Sequence, residues 1–157
     1  MAIKVERLLE KQGIPAILTR RKDVTVSLTS RAAVANKFPD SIFVSLHFNA
    51  SRNTSIKGIE TYYQSAAGKR LASMVQGELA GRIKTTNRGI KHKTNFAVLR
   101  KTKGVAILVE LGFISNSWER NRCTQGWLQD ILAEEIAAGI IRYYRATTKG
   151  ASQYVKS

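Results

Sequence analysis

The 157-residue chain is long enough for one domain with a substantial buried core. Its 26 Lys and Arg residues outnumber its 11 Asp and Glu residues, and the net charge of +15 predicts a polyanionic partner, such as nucleic acid, anionic lipid or acidic cell-wall polymer. The single Cys123 excludes an internal disulfide and a cysteine-cluster metal site, and we expect it to pack as a small apolar residue. No apolar run approaches the roughly 20 residues of a transmembrane segment, and the N-terminus lacks the apolar segment of a signal peptide.

The first third of the chain predicts two helices with a short strand between them. An apolar stripe within residues 3–9 indicates an amphipathic helix that ends near Gly13. A strand is predicted at 16–19, as in the second half of a β-α-β unit. Ser27 is a typical capping residue for a second helix, which ends near Asn36.

Two strands and a long helix follow. The segment S-I-F-V-S-L predicts a core strand at 42–46 that ends on His47, and G-I-E-T-Y-Y predicts a strand at 58–63. An apolar stripe then indicates a core helix at about 69–81.

The region before the last predicted strand is basic. Residues 85–93 are predicted to form a basic loop, and residues 96–99 a short strand. The continuous apolar run at 105–110 predicts a strand that is buried on both faces of a sheet, and it ends on Glu110.

The C-terminal part is predicted to be helical and then irregular. Asn116 has the spacing of a helix cap relative to the acidic residue three positions later. In the last long helix we expect Trp127 to be a packing anchor rather than a stacking platform. The basic polar tail, residues 145–157, is expected to fray.

These elements predict a three-layer α/β domain with a mostly parallel mixed sheet and helices on both faces. His47 and Glu110 each follow a predicted strand at its carboxyl end, which is where open α/β sheets place their ligands. We therefore expect the two side chains to converge at one edge of the sheet. Structural roles remain open for both residues, because a buried carboxylate is also stable when backbone amides bind it.

Two motifs resemble those of a known family. V-E-L-G-F-I-S-N at 109–116 is similar to the catalytic-glutamate motif of the zinc-dependent N-acetylmuramoyl-L-alanine amidases of the amidase type 3 group. S-L-H-F-N-A at 45–50 is similar to the second zinc-histidine motif of that family. Order and spacing agree over nearly the whole chain, so residues 1–144 are predicted to be an amidase-like domain.

The resemblance implies a peptidoglycan hydrolase that cuts the amide between N-acetylmuramic acid and L-alanine of the stem peptide. One zinc ion would activate a water molecule, Glu110 would act as the base, and His47 would be a zinc ligand. Asn49, Arg31 and Arg88 would face the substrate, although Arg31 equally fits the role of pinning a loop. The resemblance also implies a monomer in the cell envelope or outside the cell, in the periplasm or the cell wall.

The chain departs from the family at its beginning. The family starts with a strand that ends in a D-P-G-H-G-like turn with the first histidine ligand, followed by a glutamate ligand, and neither is present here. A catalytic zinc site takes three protein ligands, and the chain has only two histidines, His47 and His92. Glu60 is an alternative ligand, but an exposed or salt-bridged role is favoured. We therefore expect an inactive domain that lacks its first strand, whether through a shortened sequence, a misplaced start codon or a degenerate gene.

Two other functions remain open. A catalytically silent cell-wall-binding module would keep the basic cleft and bind peptidoglycan without cutting it. A nucleic-acid-binding function is suggested by charge alone, because no recognition helix or aromatic RNA motif is evident. Steep salt dependence of binding to duplex DNA would support the second alternative.

Overall fold

A mixed sheet of four strands forms the centre of the computed structural model, which describes residues 1–38 and 40–153. The strands, in chain order, are β1 (Ile42–Asn49), β2 (Ile59–Tyr63), β3 (Asn87–His92) and β4 (Val105–Phe113). Their order across the sheet is β1-β4-β2-β3. β1 is parallel to β4 and β2 is parallel to β3, whereas β2 and β4 are antiparallel. The strands predicted at 42–46, 58–63 and 105–110 are confirmed.

Helices cover both faces of the sheet, as the sequence predicted. They are α1 (Ala2–Glu10), α2 (Leu28–Asn36), α3 (Ala66–Arg82), α4 (Ala97–Lys101), α5 (Ser117–Cys123) and α6 (Gly126–Gln153). The predicted caps are present: Ser27 Oγ accepts from Ser30 N at 3.0 Å, and Asn116 Oδ1 accepts from Glu119 N at 3.2 Å. These bonds satisfy backbone donors that have no partner within the helix.

Strand β4 separates two cores. Alternate side chains of this strand, including Ile107 and Val109, pack with α1, α3 and α6 in the larger core. The intervening Ala106 and Leu108 pack with α4 in the smaller core. This alternation follows from the two-residue period of a strand, and burial on both sides explains the continuous apolar run.

A buried carboxylate joins three segments at the edge where β1 and β4 end. Glu119 accepts hydrogen bonds from Gly58 N at 2.9 Å, Phe113 N at 2.6 Å and Thr85 Oγ1 at 2.7 Å. Gly58 has φ +121°, and a Cβ atom there would lie 2.3 Å from the carbonyl oxygen of Thr86. Only glycine therefore fits this close approach.

Two predicted strands are wrong. Residues 16–19 pair with none of the four strands in the described ranges, and strand geometry depends on such a partner. Residues 96–99 lead into α4, where Val98 and Leu99 are both 3% exposed and pack together in the smaller core. A strand would have placed these adjacent residues on opposite faces. A run of four apolar residues does not distinguish the two states.

The basic loop predicted at 85–93 is also wrong, because most of it forms β3. This strand pairs with β2 through its backbone, and its Arg88 and Lys91 form ion pairs with Glu60. These tertiary contacts compensate for a polar composition that by itself indicates a loop.

The C-terminal helix differs from the prediction at both ends. Trp127 is 55% exposed and is not a packing anchor, since Leu128 takes the core position beside it. The chain does not fray from residue 145: α6 continues to Gln153, and Thr147 Oγ1 donates to the carbonyl oxygen of Tyr143 at 3.0 Å. Residues 154–157 of the predicted tail lie outside the described residues. Within the described ranges no helix has both the length and the apolar character to cross a membrane.

Candidate active site

Three side chains stand in a row across neighbouring strands. His47 of β1 lies opposite Glu110 of β4, and Glu110 lies opposite Glu60 of β2. Directly paired residues project from the same face of a sheet, so the imidazole and both carboxyl groups share one face. The structure therefore brings His47 and Glu110 together, as their positions at strand ends predicted.

Glu110 is a half-buried acid with spare hydrogen-bonding capacity. Its Oε2 atom is buried and has no hydrogen-bond partner in residues 1–38 and 40–153, so the alternative of a carboxylate held by backbone amides finds no support at this atom. Burial and, to a smaller extent, the negative charge of Glu60 together raise the pKa of Glu110 to about 7. At neutral pH the group is therefore close to half protonated, which suits a residue that takes up and releases a proton.

His47 is held in a neutral state. Its Nε2 atom lies 2.8 Å from Ser45 Oγ. Burial lowers the pKa of His47, and the positive charges of Arg31 and Arg20 add smaller effects in the same direction. The neutral imidazole is the form that binds a metal ion or accepts a proton.

Glu60 is surrounded by donors. It is 2% exposed and accepts hydrogen bonds from Tyr62 Oη, Asn49 Nδ2, Arg88 Nε and Lys91 Nζ. Burial alone would raise the pKa of Glu60, but the hydrogen bonds from Lys91, Tyr62 and Arg88 outweigh burial and lower it. The salt-bridged interpretation of Glu60 is confirmed, and the exposed one is wrong.

The predicted substrate-binding residues have partners within the protein. Asn49 Nδ2 lies 3.0 Å from Glu60 Oε1, and Arg88 Nε lies 2.8 Å from Glu60 Oε2. Arg31 Nε donates to the carbonyl oxygen of Val26 at 3.1 Å, so Arg31 does hold the loop before α2. Contact of these three side chains with a substrate stays a prediction.

The sequence analysis missed Ser45, Tyr62 and Lys91 as members of this site. Tyr62 stands two residues after Glu60 on the same face of β2, so the strand period could have identified the pair. Lys91 lies in the segment predicted to be a loop, and a loop predicts no direction for its side chains. Ser45 follows the same period, two residues before His47 in β1.

The described residues do not fit a zinc ion on their own. Within residues 1–38 and 40–153 no group of three His, Cys, Asp or Glu side chains is placed to hold a metal ion. His92 pairs with Tyr63 at the far end of β2 from Glu60, and its Nε2 atom lies 3.1 Å from the carbonyl oxygen of Gln64. Glu60 already accepts hydrogen bonds from four donors, which compete with a metal ion for its oxygens. His47 is the histidine at this edge, and one histidine is not a zinc site.

A three-layer α/β domain with an acid and a histidine at the ends of adjacent parallel strands is a candidate hydrolase. The chain belongs to the N-acetylmuramoyl-L-alanine amidase family, whose sequence model matches residues 1–142. This result confirms the family that the two motifs indicated.

Relatives in sequence and structure agree with this assignment. The chain is similar to the N-acetylmuramoyl-L-alanine amidase LytC of Bacillus subtilis (strain 168), with 35% identity over 149 residues, or 92% of this chain. It is also similar to the probable cell wall amidase LytH of Staphylococcus saprophyticus, with 29% identity over 143 residues, or 91% of this chain. The catalytic domain of CwlV, an N-acetylmuramoyl-L-alanine amidase from Bacillus (Paenibacillus) polymyxa var. colistinus, superposes with a TM-score of 0.86 at 36% identity, covering 91% of this chain and 80% of that domain.

The chain matches only part of the curated relatives. It spans 30% of the length of LytC and 47% of the length of LytH. The likeness to CwlV confirms the predicted α/β fold with helices on both faces.

Proposed function

We propose that this chain is a peptidoglycan amidase domain directed at the amide between the lactyl group of N-acetylmuramic acid and L-alanine of the stem peptide. Membership of the amidase family supports the reaction, and the net charge of +15 supports a polyanionic cell-wall substrate. The domain would act in the cell envelope or outside the cell.

The observation that carries the proposal is the Oε2 atom of Glu110, which lies beside His47 and has no hydrogen-bond partner among the residues that the structure describes. Amide hydrolysis removes a proton from the attacking water and delivers a proton to the leaving amine. A carboxyl group whose pKa is about 7 serves both steps at neutral pH. Glu110 is therefore proposed as the catalytic acid and base.

The surroundings of His47 suit a developing negative charge. Arg31 and Arg20 lie close enough for their positive charges to lower the pKa of His47, so two positive charges act on this side of the site. Such fixed positive charge stabilises the oxyanion that forms when water adds to an amide carbonyl. We propose that the scissile carbonyl lies between Glu110 and these arginines.

Zinc is implied by the family resemblance, but the described residues do not supply its ligand set. The roles of Glu110 and the arginines are therefore argued from their own geometry and charge, and we do not expect them to suffice for cleavage without a complete zinc site. We propose that the 157-residue chain by itself holds zinc weakly and does not cleave peptidoglycan. The incomplete ligand set also favours a second candidate function, a wall-binding module that does not cut.

The test uses a small ligand that contains the bond, N-acetylmuramoyl-L-alanyl-D-isoglutamine. Amide NMR spectra of the chain are expected to shift around His47 and Glu110 as this ligand is added. Sedimentation with purified peptidoglycan, metal content after dialysis and release of amino-terminal alanine are measured in parallel. Glu110→Gln tests the acid, and Glu134→Gln, at an exposed position of α6, is the matched control.

The outcomes separate the candidate functions. Shifts confined to the His47 and Glu110 region support the amidase site, and any alanine release must disappear in Glu110→Gln while sedimentation persists. Sedimentation without shifts at this edge would favour a silent binding module. Stoichiometric zinc together with alanine release from the 157-residue chain would overturn the proposed weak site. Failure to bind peptidoglycan, with salt-sensitive binding to duplex DNA, would favour the nucleic-acid alternative.

A further inference from the structure

Both tryptophans of the chain are on the surface. Trp118 in α5 is 48% exposed and Trp127 in α6 is 55% exposed, and the sequence contains no other tryptophan. Ile114, just after β4, is also 43% exposed. Large exposed aromatic side chains grouped in one region are typical of binding surfaces.

A cation holds the two indole rings in one group. The guanidinium carbon of Arg122 lies 4.2 Å from the centroid of the Trp118 ring and 5.9 Å from that of the Trp127 ring. Arg122 Nη1 also donates to the carbonyl oxygen of Lys84 at 3.2 Å, which fixes the guanidinium. Lys57 Nζ lies 5.6 Å from the Trp118 ring. We call Trp118, Trp127, Arg122 and Lys57 the tryptophan patch.

The tryptophan patch lies on the same edge of the sheet as the candidate active site. Ile114 N donates to the carbonyl oxygen of Asn49, two residues beyond His47, at 2.8 Å. Lys57 lies just before β2. The beginning of β2 pairs with β4 at Glu110, so Lys57 is at the same edge of the sheet. The tryptophan patch is therefore attached to the segments that follow β1 and β4 at this edge.

We propose that the tryptophan patch binds the glycan strand from which the stem peptides have been removed. This assignment of the ligand rests on the proposed function, because hydrolysis of that amide leaves a carboxylate on the lactyl group and an amine on alanine. The stripped strand therefore presents the apolar C–H faces of its sugar rings and one negative charge on every N-acetylmuramic acid. Indole rings stack on sugar faces, and Arg122 and Lys57 complement the carboxylates.

Single-stranded nucleic acid also combines stacking rings with negative charge. The observation that favours the glycan is continuity: the tryptophan patch shares its loops with the candidate active site of an amidase-family chain. The patch would hold the product strand while the neighbouring amide is presented to Glu110.

Intrinsic fluorescence tests this proposal directly, because its tryptophan signal comes from Trp118 and Trp127 alone. Three probes are titrated into the full chain: peptide-free glycan strands, neutral N-acetylglucosamine oligomers and oligodeoxythymidine. Peptide-free strands are expected to change the fluorescence saturably and to bind more tightly than the neutral oligomers. Raising the salt concentration should remove that preference.

Variants assign the effect to individual side chains. Trp118→Ala and Trp127→Ala are each expected to weaken binding of the peptide-free strand about tenfold, the loss of one stacking contact. Arg122→Gln should abolish the preference for charged over neutral strands. Tyr144→Ala, which removes another exposed aromatic ring, is the matched control and should change nothing. Sedimentation of strands with each variant reports binding independently of fluorescence.

Each outcome supports or overturns the patch separately from the active site. If peptide-free strands leave the fluorescence unchanged while N-acetylmuramoyl-L-alanyl-D-isoglutamine still shifts the Glu110 region, the patch proposal is wrong and the proposed function stands. If the strands bind at the patch and the Glu110 region does not respond to that ligand, the patch stands and the proposed function fails. Binding of oligodeoxythymidine more tightly than the glycan would overturn the glycan assignment.

Discussion

Glu60 and Glu110 face each other on neighbouring strands, yet their surroundings are opposite. Glu60 accepts hydrogen bonds from four side chains, two of them cationic. Glu110 has a buried oxygen without a partner in the described part of the chain. The pKa of Glu60 is lowered, whereas the pKa of Glu110 is raised to about 7.

This contrast shows how two like acids acquire different roles. The donors around Glu60 keep it ionised, and its fixed negative charge helps Glu110 to keep a proton. Pairs of titratable groups whose surroundings push their pKa values apart are a sign of acid and base assignments. Glu60 is therefore a fixed negative charge, and Glu110 is the group that can exchange a proton near neutral pH.

The largest expected effect comes from removing Glu60. Glu60→Ala leaves Arg88 and Lys91 without their carboxylate and Tyr62 Oη without its acceptor. We expect a loss of about 3 to 5 kcal/mol in the free energy of unfolding, measured by urea denaturation at pH 7. Glu134→Ala, at an exposed site, is the control. A loss below about 1 kcal/mol would place the Glu60 contacts among weak surface ion pairs.

A smaller effect is expected from pH acting on Glu110. Its pKa is about 7 in the folded state, against an ordinary value of 4.5 that applies to the unfolded chain. Between pH 4.5 and 7 the chain therefore takes up a proton on folding. The resulting stabilisation is fully present below pH 4.5 and is lost as the pH rises through 7. Relative to Glu110→Gln, the wild-type chain should lose about 1 to 2 kcal/mol over this window, less than the full pKa shift would give, because solvent screens a half-buried carboxyl group.

The measurement for Glu110 is urea denaturation of both chains at several pH values, in the presence of a metal chelator. The stability difference between wild type and Glu110→Gln should change mainly between pH 4.5 and 7. A difference that stays constant over this window would show that the pKa of Glu110 is not raised, and the contrast with Glu60 would then disappear.

The smallest effect should come from Lys91. Its side chain is 37% exposed, so solvent screens its ion pair with Glu60. Lys91→Gln is expected to reduce the free energy of unfolding by no more than about 1 kcal/mol, whereas Lys93→Gln, its exposed neighbour, should have no effect. A loss as large as that of Glu60→Ala would mean that Lys91 alone maintains the low pKa of Glu60.

The sequence predicted those features that depend on local pattern. The continuous apolar run of β4 indicates a buried strand, and the strand ends predict that His47 and Glu110 meet. Features that depend on a distant partner were missed or wrong. Residues 16–19 require a neighbouring strand, and β3 forms beside β2 with Arg88 and Lys91 bound to Glu60. Three of the four donors of Glu60 come from β1 and β3, and no local pattern specifies these contacts.

The hydrogen bonds of Glu119 have a consequence for the kinetics of binding. They fasten the segments at Gly58, Thr85 and Phe113 to α5, so the loops beside both Glu110 and the tryptophan patch are ordered before any ligand binds. Ordering a mobile loop would cost about 1 to 2 kcal/mol for each backbone residue, and here that cost is met during folding. Association at this edge should therefore resemble docking to a rigid surface, in a single kinetic phase whose rate rises linearly with ligand concentration.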